Sequence, residues 1–476
     1  MENGEGNIDL NPPPEEQPED VKRIKIRLGM FFDGTLNNRT NIEQRLMAAK
    51  AKNLTDEEIK EAAELKKRHS AADIGKARDT YKKHGAKNPD NDNSYESFFT
   101  NVVMLDRYFD DQPSDGYLFK LNVYIEGCGS IDMEGDKTSG FAFAIWESGI
   151  PARVKKGLSK AVEKIKKKQA NRELIIEKLT IDVFGFSRGA ATARSFIHAA
   201  LFGQNNNDFS ESLAEKLTSN QMTVEQVEVD FAGLFDTVST YGVLKTVIGL
   251  GASNTASLKL DAISHARKVL QLASADEHRE YFSLTNINSA GDKGRQIFLP
   301  GVHSDIGGGY RDNAHEQQTI YEDDGYSLPD AEKDRQHWIE TGWYRPEEIT
   351  LEYQEGYDQD EGDDTSWIRV NKASISNKYS HIPLQLMAAY AKENKVRLIA
   401  NLERDQAIPD ELATVKQEID SYITKTARSS ATHWLNNNAP WLKQLRHNYL
   451  HFSARIKTGH TPRFIRGKRG RVVLGG

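Results

Sequence analysis

A chain of 476 residues is long enough to bury a full core and carry a second lobe, and its 38% hydrophobic and 28% charged content exclude a fibrous or low-complexity protein. No apolar run approaches the roughly 20 residues that a membrane-spanning helix needs. The single cysteine, Cys128, excludes an internal disulfide, and a net charge of -7 argues against nucleic acid as the main partner, because phosphate binding wants a basic surface.

Residues 1–20 hold seven acids, four prolines and no base. That composition cannot bury enough apolar surface to offset chain entropy, so residues 1–21 read as a disordered arm. The start lacks the basic and apolar stretches of a Sec signal, which predicts synthesis in the cytoplasm without that route. Residues 24–32 read as a core strand broken by Asp33-Gly34-Thr35. Residues 41–90, dense in Lys, Glu and Ala and poor in large apolar residues, predict a helical insertion. A second strand is expected over 119–125, then a helix after Pro151 with Val154, Leu158, Val162 and Ile165 on one face. Residues 179–184 predict the next strand, and the small-residue run from Ala190 to Ala200 a helix packed closely on the sheet. Further strands are expected over 227–235 and 296–299. Beyond Tyr310 the pattern loosens into acidic loops (322–324 and 358–364), with helices near 383–394 and 410–424. This alternation predicts an α/β fold with a mostly parallel central sheet, a core over 22–310 and an α-rich C-terminal lobe over 311–476.

Three chemistry-bearing residues fall just past strand ends. Gly185-Phe186-Ser187-Arg188-Gly189 is a Gly-x-Ser-x-Gly elbow between strand and helix, where a strained turn exposes the Ser187 hydroxyl and Gly185 and Gly189 let the chain arms approach. A serine hydroxyl is inert until a histidine takes its proton, and the histidine needs an acid to fix its tautomer. Asp236, after the strand 227–235, suits the acid; Asp230 and Asp276 are rivals. His303, before the Gly307-Gly308-Gly309 run, suits the base ahead of His198, His265, His278 and His381. Asp305 is an alternative acid, but it lies awkwardly close to His303 in sequence. The order Ser, Asp, His is that of α/β-hydrolases. The backbone N–H of Arg188 and N–H groups near Asp33 and Gly34 are the expected oxyanion donors. The run 31–36 also approaches the Asp-x-Asp-Gly-Thr-Leu signature of haloacid-dehalogenase-type phosphatases, but Phe31 stands where the nucleophilic aspartate must be.

Several motifs occur together: Phe31-Phe32-Asp33-Gly34-Thr35 with Asn37-Asn38, Thr100-Asn101-Val102, the Ser187 elbow continued by Ala190-Ala191, Phe235-Asp236-Thr237, and the run 302–309 around His303. In this order the chain resembles the lipase effectors of bacterial type VI secretion, first family, and residues 445–453 resemble a late motif of that family. The resemblance implies phospholipase A activity, A2 favoured and A1 possible, on glycerophospholipids of a target membrane, with Ser187, Asp236 and His303 as the triad. It also implies delivery by a secretion spike or carrier protein into a rival's periplasm, and a cognate immunity protein. An esterase or thioesterase acting on a soluble substrate, or a non-catalytic binding module on the same scaffold, are the competing readings.

Two segments bear on the membrane. The apolar, glycine-broken run within 240–262 reads as a lid or equally as a buried helix. The tail 455–476, with Arg455, Lys457, Arg463, Arg466, Lys468, Arg469 and Arg471 and no acid, suits anionic head groups or plain solvent. The acidic loops lack calcium-loop spacing, so neither a metal nor a cofactor is expected.

Overall fold

Alternation along the first strand already shows how the molecule is layered. β1 (Lys22–Phe32) turns Ile24, Ile26, Leu28, Met30 and Phe32 to one face and Phe31 to the other, and all six are buried, as a strand covered on both sides requires. The protein is described by a computed structural model over residues 22–85, 93–137, 149–169, 174–203, 211–239, 255–324, 328–354, 365–457, 460–463 and 471–476. The arm 1–21, the run 240–254 and the acidic segment 355–364 lie outside the described residues.

After β1 come α1 (Arg39–Ala48), α2 (Asp56–Arg68), α3 (Ala71–Thr80) and α4 (Asn101–Arg107), then β2 (Phe119–Ile125), α5 (Ile150–Gln169), β3 (Leu174–Phe186) and α6 (Arg188–Phe202). The next strands are β4 (Met222–Val224), β5 (Val227–Phe235), β6 (Ala266–Ser274), β7 (Leu284–Thr285) and β8 (Gly294–Leu299). Seven strands form one sheet in the order β2-β1-β3-β5-β6-β8, with β4 beside the start of β3, and every pairing is parallel. A parallel sheet gathers the carboxyl ends of its strands along one edge, and the loops after β1, β3, β5 and β8 therefore open side by side.

α5 and α6 cover one face, where Val154, Leu158 and Ile165 meet the even-numbered side of β1 and the alanines of α6. The opposite face holds Phe31, Phe184, Phe231 and Leu270, and it is covered jointly by the helical insertion and the C-terminal lobe. The insertion is more deeply packed than its composition suggests. Ile42, Leu46 and Met47 of α1 are buried, and Arg45 pairs with buried Glu58 at 2.6 Å. Capping boxes at Thr55/Glu58 and Ser70/Asp73 start α2 and α3.

The structure departs from the sequence reading in three places. β3 begins at Leu174, ahead of the expected 179, and β6 was not anticipated, since its opening Ala-Arg-Lys carries little apolar signal. The residues 322–324, expected in an acidic loop, end a strand: β9 (Ala314–Asp324), β10 (Ile349–Gln354) and β11 (Thr365–Ile375) form an antiparallel sheet in the order β10-β11-β9. Its strands alternate polar and apolar residues because one face is wet, which hides them from a search for apolar runs. The C-terminal lobe thus combines this sheet with the helices His381–Glu393 and Ala413–Lys425. A last short strand, β12 (Val473–Leu474), pairs in parallel with β7.

Candidate active site

The elbow between β3 and α6 has the conformation its motif demands. Ser187 sits at φ 60°, ψ −128°, in a region that costs a non-glycine residue about 1–3 kcal/mol and persists only where surrounding structure fixes it. Its N–H donates to Phe235 O at 3.0 Å, and its carbonyl accepts from Ala190 N at 3.0 Å and Val238 N at 3.3 Å. A Cβ on Gly185 would stand 2.6 Å from Ala190 Cα, and one on Gly189 2.2 Å from Asp33 O. Both glycines therefore exist for close approach, the second pressing the elbow against the loop after β1.

Asp236 follows β5 directly, at φ 47°, and is fully buried. Its Oδ2 receives His303 Nδ1 at 2.5 Å and Ser274 Oγ at 3.2 Å, and its Oδ1 receives Ser274 N at 2.9 Å. Arg471 donates to both oxygens, Nη1 to Oδ1 at 2.5 Å and Nη2 to Oδ2 at 2.8 Å. Burial alone would raise this carboxyl; the charge of Arg471 and the hydrogen bonds from His303 and Arg471 overcome it and hold it at about 2. Asp236 is thus ionised at neutral pH.

His303 opens the short helix His303–Gly307, four residues after β8. Burial pushes its imidazole below the ordinary histidine value, although Asp236 pulls the other way. The neutral ring, with Nδ1–H on Asp236, leaves Nε2 as the proton-accepting atom. Phe186 lies against the ring at 4.5 Å between centroids and Phe282 meets it edge-on at 5.0 Å, while the His303 N–H donates to Glu277 Oε2 at 3.1 Å. Gly307 leaves room for Phe186, whose ring would stand 2.1 Å from a Cβ there. Ser187, Asp236 and His303, separated by up to 116 residues of chain, are therefore brought to one edge of the sheet, Ser187 joined to the Asp236 turn by backbone and its neighbour Phe186 packed on His303.

The rivals are committed elsewhere. Asp230 pairs with Arg27 and Arg267. Asp276 accepts Gly301 N at 2.7 Å and Arg446 at 3.3 Å, and Asp305 accepts His451 Nδ1 at 2.8 Å. His278 stacks on Phe452, His381 contacts Ala407 O at 2.8 Å, and His198 and His265 pack on Phe202. Phe31 stacks on Phe184 at 5.1 Å as a core residue.

The loop after β1 corrects the expected oxyanion donors. The Asp33 N–H donates to Ile125 O at 2.9 Å, and the Gly34 N–H to Asp33 Oδ1 at 2.8 Å, so both are already engaged. The Asp33 carboxylate also receives Thr100 Oγ1 at 2.7 Å and Tyr124 OH at 2.6 Å; burial nevertheless pushes it up to about 6. The neighbouring Thr35 Oγ1 is buried and has no hydrogen-bond partner among the described residues. The basic tail is corrected as well. Arg463 donates to the carbonyls of Arg279 and Glu280, and the Arg471 side chain is only 2% exposed, so neither faces solvent; Arg466, Lys468 and Arg469 lie outside the described residues. Of the lid region, Leu258, Leu260 and Ala262 are buried, and Arg194 of α6 donates to Leu260 O, so the apolar side of 255–262 packs on the core while Ala256, Ser257, Lys259 and Asp261 are exposed. Sequence reasoning missed Arg471, Ser274 and Glu277; a lone arginine in a basic tail gave no signal of burial.

Residues 200–324, which include Asp236 and His303 and begin after Ser187, match the family model described as T6SS, phospholipase effector Tle1-like, catalytic domain. Over that segment the chain is similar to the catalytic domain of Tle1-like phospholipase effectors. Among solved structures, the Tle1 effector bound to the VgrG spike from the type 6 secretion system shares the fold of this chain, with a TM-score of 0.62 at 19% identity over 96% of this chain and 94% of that one. An uncharacterized protein from Pseudomonas aeruginosa is 17% identical over 87% of this chain and 52% of its own length, with a TM-score of 0.41. No curated protein matches. The match over residues 200–324 supports a lipolytic hydrolase.

Proposed function

We propose that the protein is a phospholipase A, with Ser187 as nucleophile, His303 as general base and Asp236 as the orienting acid. The observation that carries this reading is the buried pairing of His303 Nδ1 with the Asp236 carboxylate at 2.5 Å, beside a serine held at positive φ on a strand-to-helix elbow. Ser187 Oγ attacks the acyl carbonyl carbon of a glycerophospholipid while His303 Nε2 takes its proton. The tetrahedral oxyanion is held by the Arg188 N–H at the start of α6 and, with the Asp33 and Gly34 N–H groups engaged, by Thr35, whose buried hydroxyl has no hydrogen-bond partner among the described residues. As the ester C–O bond breaks, His303 returns the proton to the lysophospholipid alkoxide. Water, deprotonated by the same imidazole, then frees the fatty acid from Ser187.

The A2 position is favoured, and type VI delivery into a rival's periplasm, with a spike component as carrier and an immunity protein in the producer, completes the reading. The Tle1 effector solved on its VgrG spike supports the carrier. The test is hydrolysis of a glycerophospholipid carrying different acyl chains at its two positions, followed by mass spectrometry. Release of the sn-2 acid with an sn-1 lysophospholipid is expected. Rapid cleavage of short soluble esters with intact phospholipid would overturn the substrate assignment in favour of a soluble-ester esterase.

A further inference from the structure

Asp236 has a partner from the far end of the described chain. Arg471, 235 residues beyond it, spends its whole guanidinium on the floor of the site: Nε donates to Phe282 O at 2.8 Å, Nη1 to Asp236 Oδ1, Ser274 Oγ at 2.8 Å and Ser274 O at 3.2 Å, and Nη2 to Asp236 Oδ2. The segment that delivers it is anchored as a strap. β12 pairs with β7, Leu284 N donates to Val472 O at 2.9 Å, Asn286 N to Leu474 O at 3.0 Å, and Gly476 N to Asn286 Oδ1 at 3.1 Å. β7 is itself tied to the Asp236 turn through Thr285 N on Thr237 O at 2.9 Å.

A two-pronged donor fixes both oxygens of a carboxylate and hence its plane, which a point charge does not. Here the Oδ2 that receives Nη2 also receives His303 Nδ1, so the orientation of the imidazole depends on the arginine fork. Asp236 after β5 and Glu277 with its partner Arg279 after β6 act on His303, Arg471 from the strap pairs with both oxygens of Asp236, and Arg463 lies beside Arg279, Glu277 and Arg471. Without Arg471 the Asp236 carboxylate loses its paired cation, which favours the imidazolium and takes the base out of service at a higher pH.

We propose that Arg471 is a positioning residue of the esterase site, setting the plane of the Asp236 carboxylate for His303 and balancing its charge. This rests on the triad reading. Arg471→Gln removes fork and charge; Arg471→Lys keeps the charge and removes the fork. With mixed phosphatidylethanolamine and phosphatidylglycerol vesicles, both variants are expected to lose kcat by about tenfold to a hundredfold with KM within about twofold. Only Arg471→Gln is expected to move the acidic limb of the kcat profile upward, by about half to one pH unit. If Arg471→Gln does not fold, as judged by circular dichroism, Arg471→Lys decides alone. Wild-type kcat in Arg471→Lys, or an acidic limb unmoved in a folded Arg471→Gln, overturns the proposal. A Ser187→Ala enzyme as active as wild type would instead remove the triad reading beneath it.

Discussion

Two buried histidine–aspartate pairs lie side by side in this protein, in different electrostatic settings. His303 meets Asp236 at 2.5 Å and His451 meets Asp305 at 2.8 Å, and all four residues are at most 5% exposed. Their surroundings separate them. Asp236 stands at a strand end, receives a guanidinium fork and is held at about 2, whereas Asp305 receives only N–H donors from Val302 and His451 and is raised by burial. His303 is gripped by Phe186 of the serine elbow; His451 is stacked on Tyr310 at 3.7 Å and joins the C-terminal lobe to the loop that carries His303. The second pair works as a stitch. A histidine on a carboxylate is therefore not a catalytic signature by itself: position at the sheet edge and the charge supplied to the acid distinguish the two.

The comparison breaks most visibly at the first pair. His303→Ala is expected to reduce kcat by on the order of a millionfold, as loss of the base does in serine hydrolases, whereas His451→Ala should leave the chemistry in place and lower only the melting temperature. Asp236→Asn is expected to cost on the order of ten thousandfold in kcat by losing the tautomer of His303, measured as fatty-acid release from vesicles. Asp305→Asn should cost no more than about tenfold, and less stability than Asp236→Asn, because burial already favours its neutral form.

Acid titration sharpens the same contrast. Asp236 lies at about 2 when folded against about 3.9 when unfolded, so its contribution to stability is complete above about pH 4 and is lost as pH falls toward 2. Asp305, raised by burial, has the opposite sign: its contribution is present at low pH and is lost as pH rises through its folded value. For activity, kcat/KM should fall on acidification only as His303 protonates, below the ordinary histidine value of about 6.5, which a pH profile of vesicle hydrolysis checks.

How much of this was legible in the sequence varies with the distance over which each interaction acts. The elbow was readable because Gly185, Ser187 and Gly189 answer a local backbone requirement, and Asp236 and His303 because a parallel sheet brings every strand's carboxyl end to one edge. The oxyanion donors were not, because whether the Asp33 and Gly34 N–H groups are available depends on Ile125 and on the Asp33 carboxylate, which no pattern of residue types reveals. Arg471 reads from sequence as part of a basic tail for anionic head groups or solvent, since nothing local distinguishes a cation bound for a carboxylate 235 residues away. β9 and β11 escaped for a related reason: each has one wet face, so its apolar signal is halved.

The most direct test of the central claim is covalent labelling by a fluorophosphonate, which reports an activated serine without assuming a substrate. The account predicts a single modified peptide containing Ser187 in the wild-type protein, with labelling lost in Ser187→Ala and strongly slowed in Asp236→Asn. Modification of another serine, or an inert Ser187 in protein that still hydrolyses phospholipid, would contradict it.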